Sequence, residues 1–387
     1  MKIIYDRLYG QLQVSDHDLK LFQTEELTRL RQVSLSAVPP WTLPVANSAS
    51  KFEHSVGTAH LARIVAQKSE FKEFAKDLYF AALAHDIATP PFSHVTEYFQ
   101  IKLFGKNHEE FAEDVLDRSE LANLMKKQGT SIKRIIDLIN GRGGVCGDLV
   151  NGSIDLDNLD NSLRFALSIG LISQLLYSPE AIAELYAIEN NQLILLIKDR
   201  KDLEAWELTR KIVYDLLYTE LNLSPALMMY RALDLAFQEN ELKKEFFLMT
   251  DAEAFSYLEH NCNPKTQIIT RRARKWQFYP TAYSFSTNTA SKKLRDFFLD
   301  IDNRTILADK ISSQFKIKAE DITVYFGKGR GFKKIHLPIF AKAGEIEEYV
   351  PSQQERWMAY IFLHSSELKK AEGIRELMDS KIKNLKN

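Results

Sequence analysis

Cysteine is nearly absent. Only Cys146 and Cys262 occur among 387 residues, which excludes a disulfide framework and a cysteine-rich zinc site and suits a reducing cytoplasm. No sign of charge dominates: 51 Lys and Arg stand against 52 Asp and Glu. No global field therefore draws the chain toward nucleic acid or anionic lipid, and any nucleotide site must be a local patch. No apolar run approaches ~18 residues, so no membrane span is expected. The opening residues, MKIIYDRLYGQLQVSD, are charged and lack the apolar core of a signal peptide. There is no internal repeat and no low-complexity linker. What is present is ordinary for a globular protein: 45 % hydrophobic and 27 % charged residues. The length exceeds one typical domain and favours a large domain with a smaller one appended.

Hydrophobic periodicity predicts a mainly α protein. Residues 2–15, KIIYDRLYGQLQVS, alternate around Gly10 and read as a β-hairpin. From about 17 to 310 most segments read as helix. In FKEFAKDLYFAALAHD, Phe71, Phe74, Leu78, Ala82 and His85 share a face. One interruption, LYAIENNQLILLIKD (185–199), places Asn190 and Asn191 between two β-type runs and predicts a second hairpin. After about 315, DITVYF, KIHLPIF and AYIFLH are strand-like, and the chain closes on a helix. The expected division is 1–310, helical with an amino-terminal hairpin, and 311–387, an α+β subdomain.

Chemistry concentrates in AALAHDIATPPFSH (81–94). An apolar helix runs into His85 and Asp86, and Pro90 and Pro91 then end it. Burying an imidazole and a carboxylate without partners costs several kcal/mol or shifts their pKa values. A bound cation removes that cost. KFEHSVGTAHLARIV offers His54 as a further ligand, and NGSIDLDNLDNSLRFA offers Asp155, Asp157 and Asp160. Such a mixed N/O set suits Mn²⁺, Fe²⁺, Mg²⁺, Zn²⁺ or Ni²⁺. The aspartate run is not a calcium loop. Its sixth position is Asp160 rather than glycine and its twelfth is Ala166 rather than glutamate. Its carboxylates also suit a helix amino terminus, with Asp160 pairing Arg164 four residues on. A histidine at a helix edge is, taken singly, more often structural; His60, on another face from His54, is read that way.

The order H…HD…D resembles the HD superfamily of metal-dependent phosphohydrolases. FQTEELTRLRQVSLS, KFEHSVGTAHLA, AALAHDIATPPFSHVTEYF and NGSIDLDNLDNSLRFA are similar to its successive motifs. FFLMTDAEAFSYL and GFKKIHLPIFAKAGE resemble later segments of one branch, the dGTPase-like deoxynucleoside triphosphate triphosphohydrolases. The likeness extends over roughly residues 1 to 365. It implies an HD-type helical core with small β-hairpins and one divalent metal per chain on His54, His85, Asp86 and Asp157. Asp157 is preferred as the second aspartate of D-x-D, with Asp155 supporting. The implied reaction is attack of a metal-activated water at the α-phosphate, releasing deoxynucleoside and triphosphate. A homo-oligomer, and a regulatory nucleotide between subunits, are implied as well.

The chain departs from the resembled pattern around the metal. That pattern usually reads HD-x-G-H-G-P-F-S-H; here Thr89 stands at the usual catalytic histidine, Ala88 at one glycine and Pro90 at the other. A threonine cannot donate a proton as histidinium does. His108 is the expected acid, with His94 nearby and Glu97 to orient them. Lys51 replaces a phosphate-binding arginine. Arg210 and Tyr218 match a phosphate contact and a sugar contact. Asn158 and Asn161 replace a lysine and a tyrosine and leave the substrate open. Two rival expectations follow: a phosphodiesterase on cyclic or short oligonucleotides, and a relative that senses nucleotides or acts as a scaffold without turnover. Two basic stretches remain. FGKGRGFKK (326–334) is no P-loop and reads as a mobile hairpin, with a nucleotide contact as the alternative. TRRARKW (270–276) reads as a solvated face or a nucleotide or nucleic-acid contact.

Overall fold

The computed structural model describes residues 1–36, 49–197, 200–329, 338–340, 346–348 and 355–386, the two three-residue strands by backbone alone. The chain forms two compact units. One comprises residues 1–213, 244–252 and 333–351, the other 214–243, 253–332 and 352–387. Each is described separately.

The first unit opens with the expected hairpin. Strands β1 (Lys2–Asp6) and β2 (Gly10–Val14) pair antiparallel, Lys2 opposite Val14 and Asp6 opposite Gly10. Gly10 takes φ +68°, and Asp6 Oδ1 accepts the Leu8 and Tyr9 N–H groups, closing the turn. Then follow α1 (Asp16–Phe22), α2 (Glu25–Leu30), α3 (Lys51–Val65) and α4 (Ala75–Ala84). Next come α5 (His94–Phe104), α6 (His108–Leu116), α7 (Glu120–Lys127), α8 (Ile132–Ile139) and α9 (Val145–Val150). The unit continues through α10 (Leu156–Ser168) and α11 (Pro179–Ala183) to β3 (Tyr186–Glu189) and β4 (Gln192–Leu195). Helix α12 (Lys201–Leu217) then runs to the division.

Helix α4 is buried from Leu78 to Ala84. It packs on α3, and α3 in turn on α10. A helix apolar all round belongs at the centre of its unit, and here it carries His85 into that centre. The second expected hairpin is β3–β4, turned at Asn190 and Asn191 with φ +50° and +61°. Those angles define the turn that asparagine tolerates best after glycine. Strand β4 also pairs parallel with a segment far along the chain, Leu195 opposite Ile339.

The second unit holds α13 (Glu220–Gln238), α14 (Asp251–His260, which begins in the first unit), α15 (Pro264–Arg274), β5 (Thr281–Thr287), α16 (Lys292–Leu299), α17 (Asp302–Phe315) and β6 (Ile322–Gly329). The short strands β7 (Pro338–Phe340) and β8 (Ile346–Glu348) pair with each other in the first unit's sheet, order β3-β4-β7-β8. Strand β9 (Arg356–Leu363) and helix α18 (Ala371–Lys386) end the second unit. Its sheet has order β5-β9-β6, all antiparallel, and packs against α16, α17 and α18 around Phe298, Ile311, Phe326, Ile361 and Met378.

The protein is mainly α with small sheets, as expected. Two expectations are corrected. The reading of 17–310 as helix apart from one hairpin passed over β5, and the boundary at 310/311 is not where the chain divides. The reasons are one. Among the described residues, strand β5 pairs with β9, some 70 positions later in register, Phe285 opposite Ala359. The α+β unit therefore recruits chain well before 311. Of FGKGRGFKK, Phe326 to Gly329 lie in β6; positions 330–334 fall outside the described residues, so the hairpin expected there is not addressed.

Candidate functional site

Three elements of the first unit converge on one point. Helix α3 begins with a capping box in which Ser50 and Glu53 satisfy each other's backbone N–H groups. That fixes the first turn, which carries Lys51 and His54. Helix α4 ends at Ala84, and His85 and Asp86 occupy the turn beyond it. Asp155 caps α10 by accepting from the Asn158 N–H at 2.7 Å and also takes the Gly152 N–H at 2.9 Å. Asp157 stands in that helix's first turn.

His54 Nε2 lies 2.8 Å from Asp157 Oδ1, 3.2 Å from His85 Nε2 and 3.6 Å from Asp86 Oδ2. Asp86 Oδ2 is 3.1 Å from His85 Nε2. A transition metal at bonds of about 2.0–2.2 Å separates neighbouring ligand atoms by roughly 2.8–3.6 Å, from octahedral to tetrahedral angles, so these spacings are compatible with a shared coordination sphere. His54, His85 and Asp157 form a close group able to hold a metal ion. The remaining ring nitrogens are committed. His85 Nδ1 meets the Ala82 carbonyl at 2.8 Å and His54 Nδ1 meets Asp160 at 2.7 Å. Each imidazole thus turns Nε2 to the common point.

Electrostatics favour a cation there. Burial would push the Asp86 carboxyl up, but Lys51, His85 and His54 hold it well below the usual carboxylate range. Asp157 is likewise held down, burial being outweighed by His54 and His85. Burial opposes charge on His54, yet hydrogen bonds to Asp157 and Asp160 raise it to about 9. A proton on His54 and a divalent ion answer the same excess of negative charge.

The other expected residues are placed as follows. Lys51 is buried, and its Nζ meets Asp86 Oδ2 at 2.8 Å rather than facing open space. Thr89 donates its hydroxyl to Asp86 Oδ1 at 2.7 Å. Both Asp86 oxygens are therefore held, one by each. Glu97 bridges two imidazoles: Oε2 meets His94 Nδ1 at 3.0 Å, and Oε1 makes a short contact with His108 Nδ1. His108 Nε2 stays 3.6 Å from Asp86 Oδ1 and 3.6 Å from Glu109 Oε1. Burial lowers the His108 pKa, but Glu97, Glu109 and Asp86 raise it to about 9. Glu97, His108 and Glu109 are close enough to be read as a second metal group. With both Glu97 oxygens engaged by imidazoles, the arrangement suits proton handling better. Arg210 Nη1 bonds Asn158 Oδ1 at 2.5 Å, one residue beyond Asp157. Tyr218 lies in the second unit, its ring 6.0 Å from that of Tyr325. His60 pairs with Glu180 at 2.7 Å, in keeping with a structural part. The basic run is also spent on pairing: Arg271 and Arg274 share Glu259, and Arg272 meets Asp321.

Sequence reasoning missed the clamp on the loop after Asp86. Arg29 Nη2 donates to the Ile87 and Thr89 carbonyls, both at 2.9 Å. Asp251 accepts from the Phe92 N–H at 2.8 Å and from the Ser34 N–H at 3.0 Å. Phe92 and Ser93 take φ +61° and +49°, a pairing non-glycine residues adopt only under constraint. Ser93 Oγ is tied to the Ser34 carbonyl at 2.7 Å. Asp251 lies within FFLMTDAEAFSYL, but nothing in that segment's pattern points back to residue 92.

Residues 52–144 match the HD domain family. The chain carries an HD domain. The match includes His54, the His85–Asp86 pair, His94 and His108, and stops before Asp157. Some of the relatives are named phosphohydrolases. The chain is 26 % identical to an uncharacterized protein of Methanocaldococcus jannaschii, over 99 % of this chain and 82 % of that one. It is 28 % identical to the deoxynucleoside triphosphate triphosphohydrolase SAMHD1 homolog of Dictyostelium discoideum, over 56 % of this chain but only 46 % of that longer protein. The fold is shared with a hypothetical protein from Aquifex aeolicus (TM-score 0.75, 19 % identity, 96 % of this chain and 99 % of that one). It is also shared with a phosphohydrolase from Bacteroides thetaiotaomicron (TM-score 0.68, 17 % identity, 93 % and 99 %). No described helix is long and apolar enough to cross a membrane.

Proposed function

We propose that this protein is a metal-dependent nucleotide phosphohydrolase, acting on deoxynucleoside triphosphates to release deoxynucleoside and triphosphate. The observation that carries the reading is the convergence of two imidazoles and the Asp157 carboxylate, with Asp86 beside them and the Glu97–His108 pair facing Asp86. His54, His85, Asp86 and Asp157 hold one divalent cation. When bound, that cation supplies charge stabilisation for phosphoryl transfer and a nucleophilic water at neutral pH.

The chain's own groups do the rest. Lys51 and Thr89 hold the Asp86 carboxylate from its two ends. Glu97 orients His108, whose Nε2 faces the metal side and donates the proton the leaving oxygen needs. His94 shares the same glutamate. Arg210, held beside Asp157 through Asn158, is the candidate phosphate contact. Tyr218 as a sugar contact rests on the family resemblance alone. The choice of deoxynucleoside triphosphates is supported by the named activity of the Dictyostelium relative. Assembly as a homo-oligomer with a regulatory nucleotide belongs to the same reading.

The test is turnover of single nucleotides with Mn²⁺ or Mg²⁺, products resolved by chromatography. Free triphosphate with deoxynucleoside is the expected result. A linear monophosphate from a cyclic substrate would make the protein a phosphodiesterase. Metal uptake with no product from any nucleotide would leave a binding protein.

A further inference from the structure

A buried chain of charges runs from the amino-terminal hairpin to the Nδ1 atom of His54. Asp6, at the end of β1, accepts from Arg164: Oδ2 from Nη1 at 2.8 Å and Oδ1 from Nη2 at 3.2 Å. The same guanidinium grips Asp160, Nε to Oδ1 at 2.7 Å and Nη2 to Oδ2 at 2.8 Å. Asp160 Oδ1 then meets His54 Nδ1 at 2.7 Å, and Tyr9 donates its hydroxyl to Oδ2 at 2.7 Å. His54, Asp160 and Arg164 are fully buried, and the Asp6 side chain is 5 % exposed.

Burial of this kind is not cheap stabilisation. Charges taken from water regain their hydration only through near-ideal geometry, and an apolar replacement is often as stable. Here the geometry is bidentate on both sides of one arginine. The sequence also gives up helix stability to accommodate it. Gly57 lies inside α3, three residues from His54 on the same face, where glycine costs about 1 kcal/mol relative to alanine. A Cβ at Gly57 would run into the Asp160 carboxylate, the Arg164 guanidinium and the Tyr9 ring. The helix has been cut away at the one place where the charge chain reaches the ligand histidine.

We propose that Asp160, Arg164 and Asp6 are positioning residues of the metal site, fixing the proton of His54 on Nδ1 so that Nε2 presents its lone pair, and that the amino-terminal hairpin is thereby part of that site. The inference rests on His54 being a metal ligand. Both Asp160 oxygens already accept from Arg164, so Oδ1 serves as acceptor for the His54 Nδ1 proton. Arg164 aims the Asp160 carboxylate, and Asp6 and the β1–β2 turn keep Arg164 from swinging away. A metal-bound imidazole with such a carboxylate behind it is oriented and more basic.

The test is Mn²⁺ affinity of the full chain by titration calorimetry, with thermal unfolding measured beside it. Asp160→Asn should weaken Mn²⁺ binding roughly 10- to 100-fold, the usual range for a group behind a ligand histidine. Asp6→Asn, isosteric and two bonds further from the metal, should weaken it by a smaller factor, about 3- to 10-fold. Asp18→Asn breaks a buried ion pair of the same unit that does not touch this chain of contacts, and should lower stability while leaving Mn²⁺ affinity unchanged. If Asp160→Asn does not fold, Asp6→Asn decides alone. Wild-type affinity in a folded Asp6→Asn protein overturns the inference, as does an equal loss in Asp18→Asn. A wild-type chain that binds no divalent metal overturns the reading of the site itself, and the two failures are thus distinct.

Discussion

Position 89, where the resembled pattern usually has a histidine, is a threonine, and its hydroxyl has a partner. The Thr89 hydroxyl donates to Asp86 Oδ1 while Lys51 takes Oδ2. Relative to the resembled pattern, Thr89 offers no imidazole and instead braces the Asp86 carboxylate, a proposed ligand. Two variants separate those effects. His108→Ala should lower kcat by roughly 10²–10⁴, the scale of an acid–base group, with Mn²⁺ still bound. Thr89→Val should weaken Mn²⁺ binding by about tenfold, as for other groups supporting a ligand, and Thr89→Ser should restore it. An active His108→Ala enzyme at the wild-type rate would remove histidine 108 from the chemistry. At this scale the sequence was legible for the group around His54 and not for its supports. His54, His85 and Asp157, expected together with Asp86 from the resemblance to the HD pattern, lie close enough to hold a metal ion. Lys51 was expected on a phosphate and sits on Asp86. Arg29, Ser34 and Asp251 carried no signal, because a clamp on a loop is set by three-dimensional proximity, not by spacing along the chain.

Elements were legible in proportion to how local their contacts are. The hairpins at 2–14 and 186–195 close on their own turns, Gly10 in one and Asn190–Asn191 in the other, and so declared themselves. Strand β5 finds its partner in β9 and was passed over. Helix α1 shows how a local signal becomes a tertiary joint. Ser15 and Asp18 form its capping box. Asp18 also accepts from Arg63 of α3 at 2.6 Å and from the Tyr79 hydroxyl of α4 at 2.8 Å. Burial pushes the Asp18 carboxyl up, but Arg63, the Ser15 backbone, Tyr79 and the Ser15 hydroxyl outweigh it and bring it to about 2. The folded value is depressed, so the contribution is complete above the unfolded value near 4 and is lost as pH falls toward 2. The shift corresponds to roughly 2 kcal/mol. Urea unfolding at pH 6 should show Asp18→Asn less stable than wild type by about that amount, with the gap narrowing by pH 3. A gap unchanged between pH 6 and pH 3 would show that the carboxylate's ionisation contributes nothing.

For the whole molecule, the decisive feature is where the proposed metal ligands come from. His54 belongs to α3, His85 and Asp86 to the turn after α4, and Asp157 to α10, so an ion bound there would join segments separated by about a hundred residues of chain. The HD match ends at residue 144, yet the group able to hold a metal ion includes Asp157. On the proposed reading the functional unit is larger than the recognisable motif and includes the hairpin that reaches Arg164. An ion that binds only the folded arrangement stabilises it by mass action, roughly 2.7 kcal/mol at a concentration 100 times Kd. Thermal unfolding should therefore shift upward with added Mn²⁺ and downward with excess chelator. In His54→Ala and Asp157→Ala the metal-dependent shift should vanish, whatever the baseline stability of each variant. Because the ligands lie in the first unit, a calorimetric trace with two transitions should move in one and not the other. A shift of equal size in wild type and Asp157→Ala would mean that metal binds elsewhere. The four residues would then form a salt-bridged core, with α3 and α10 joined there by the contacts of His54 with Asp157 and Asp160.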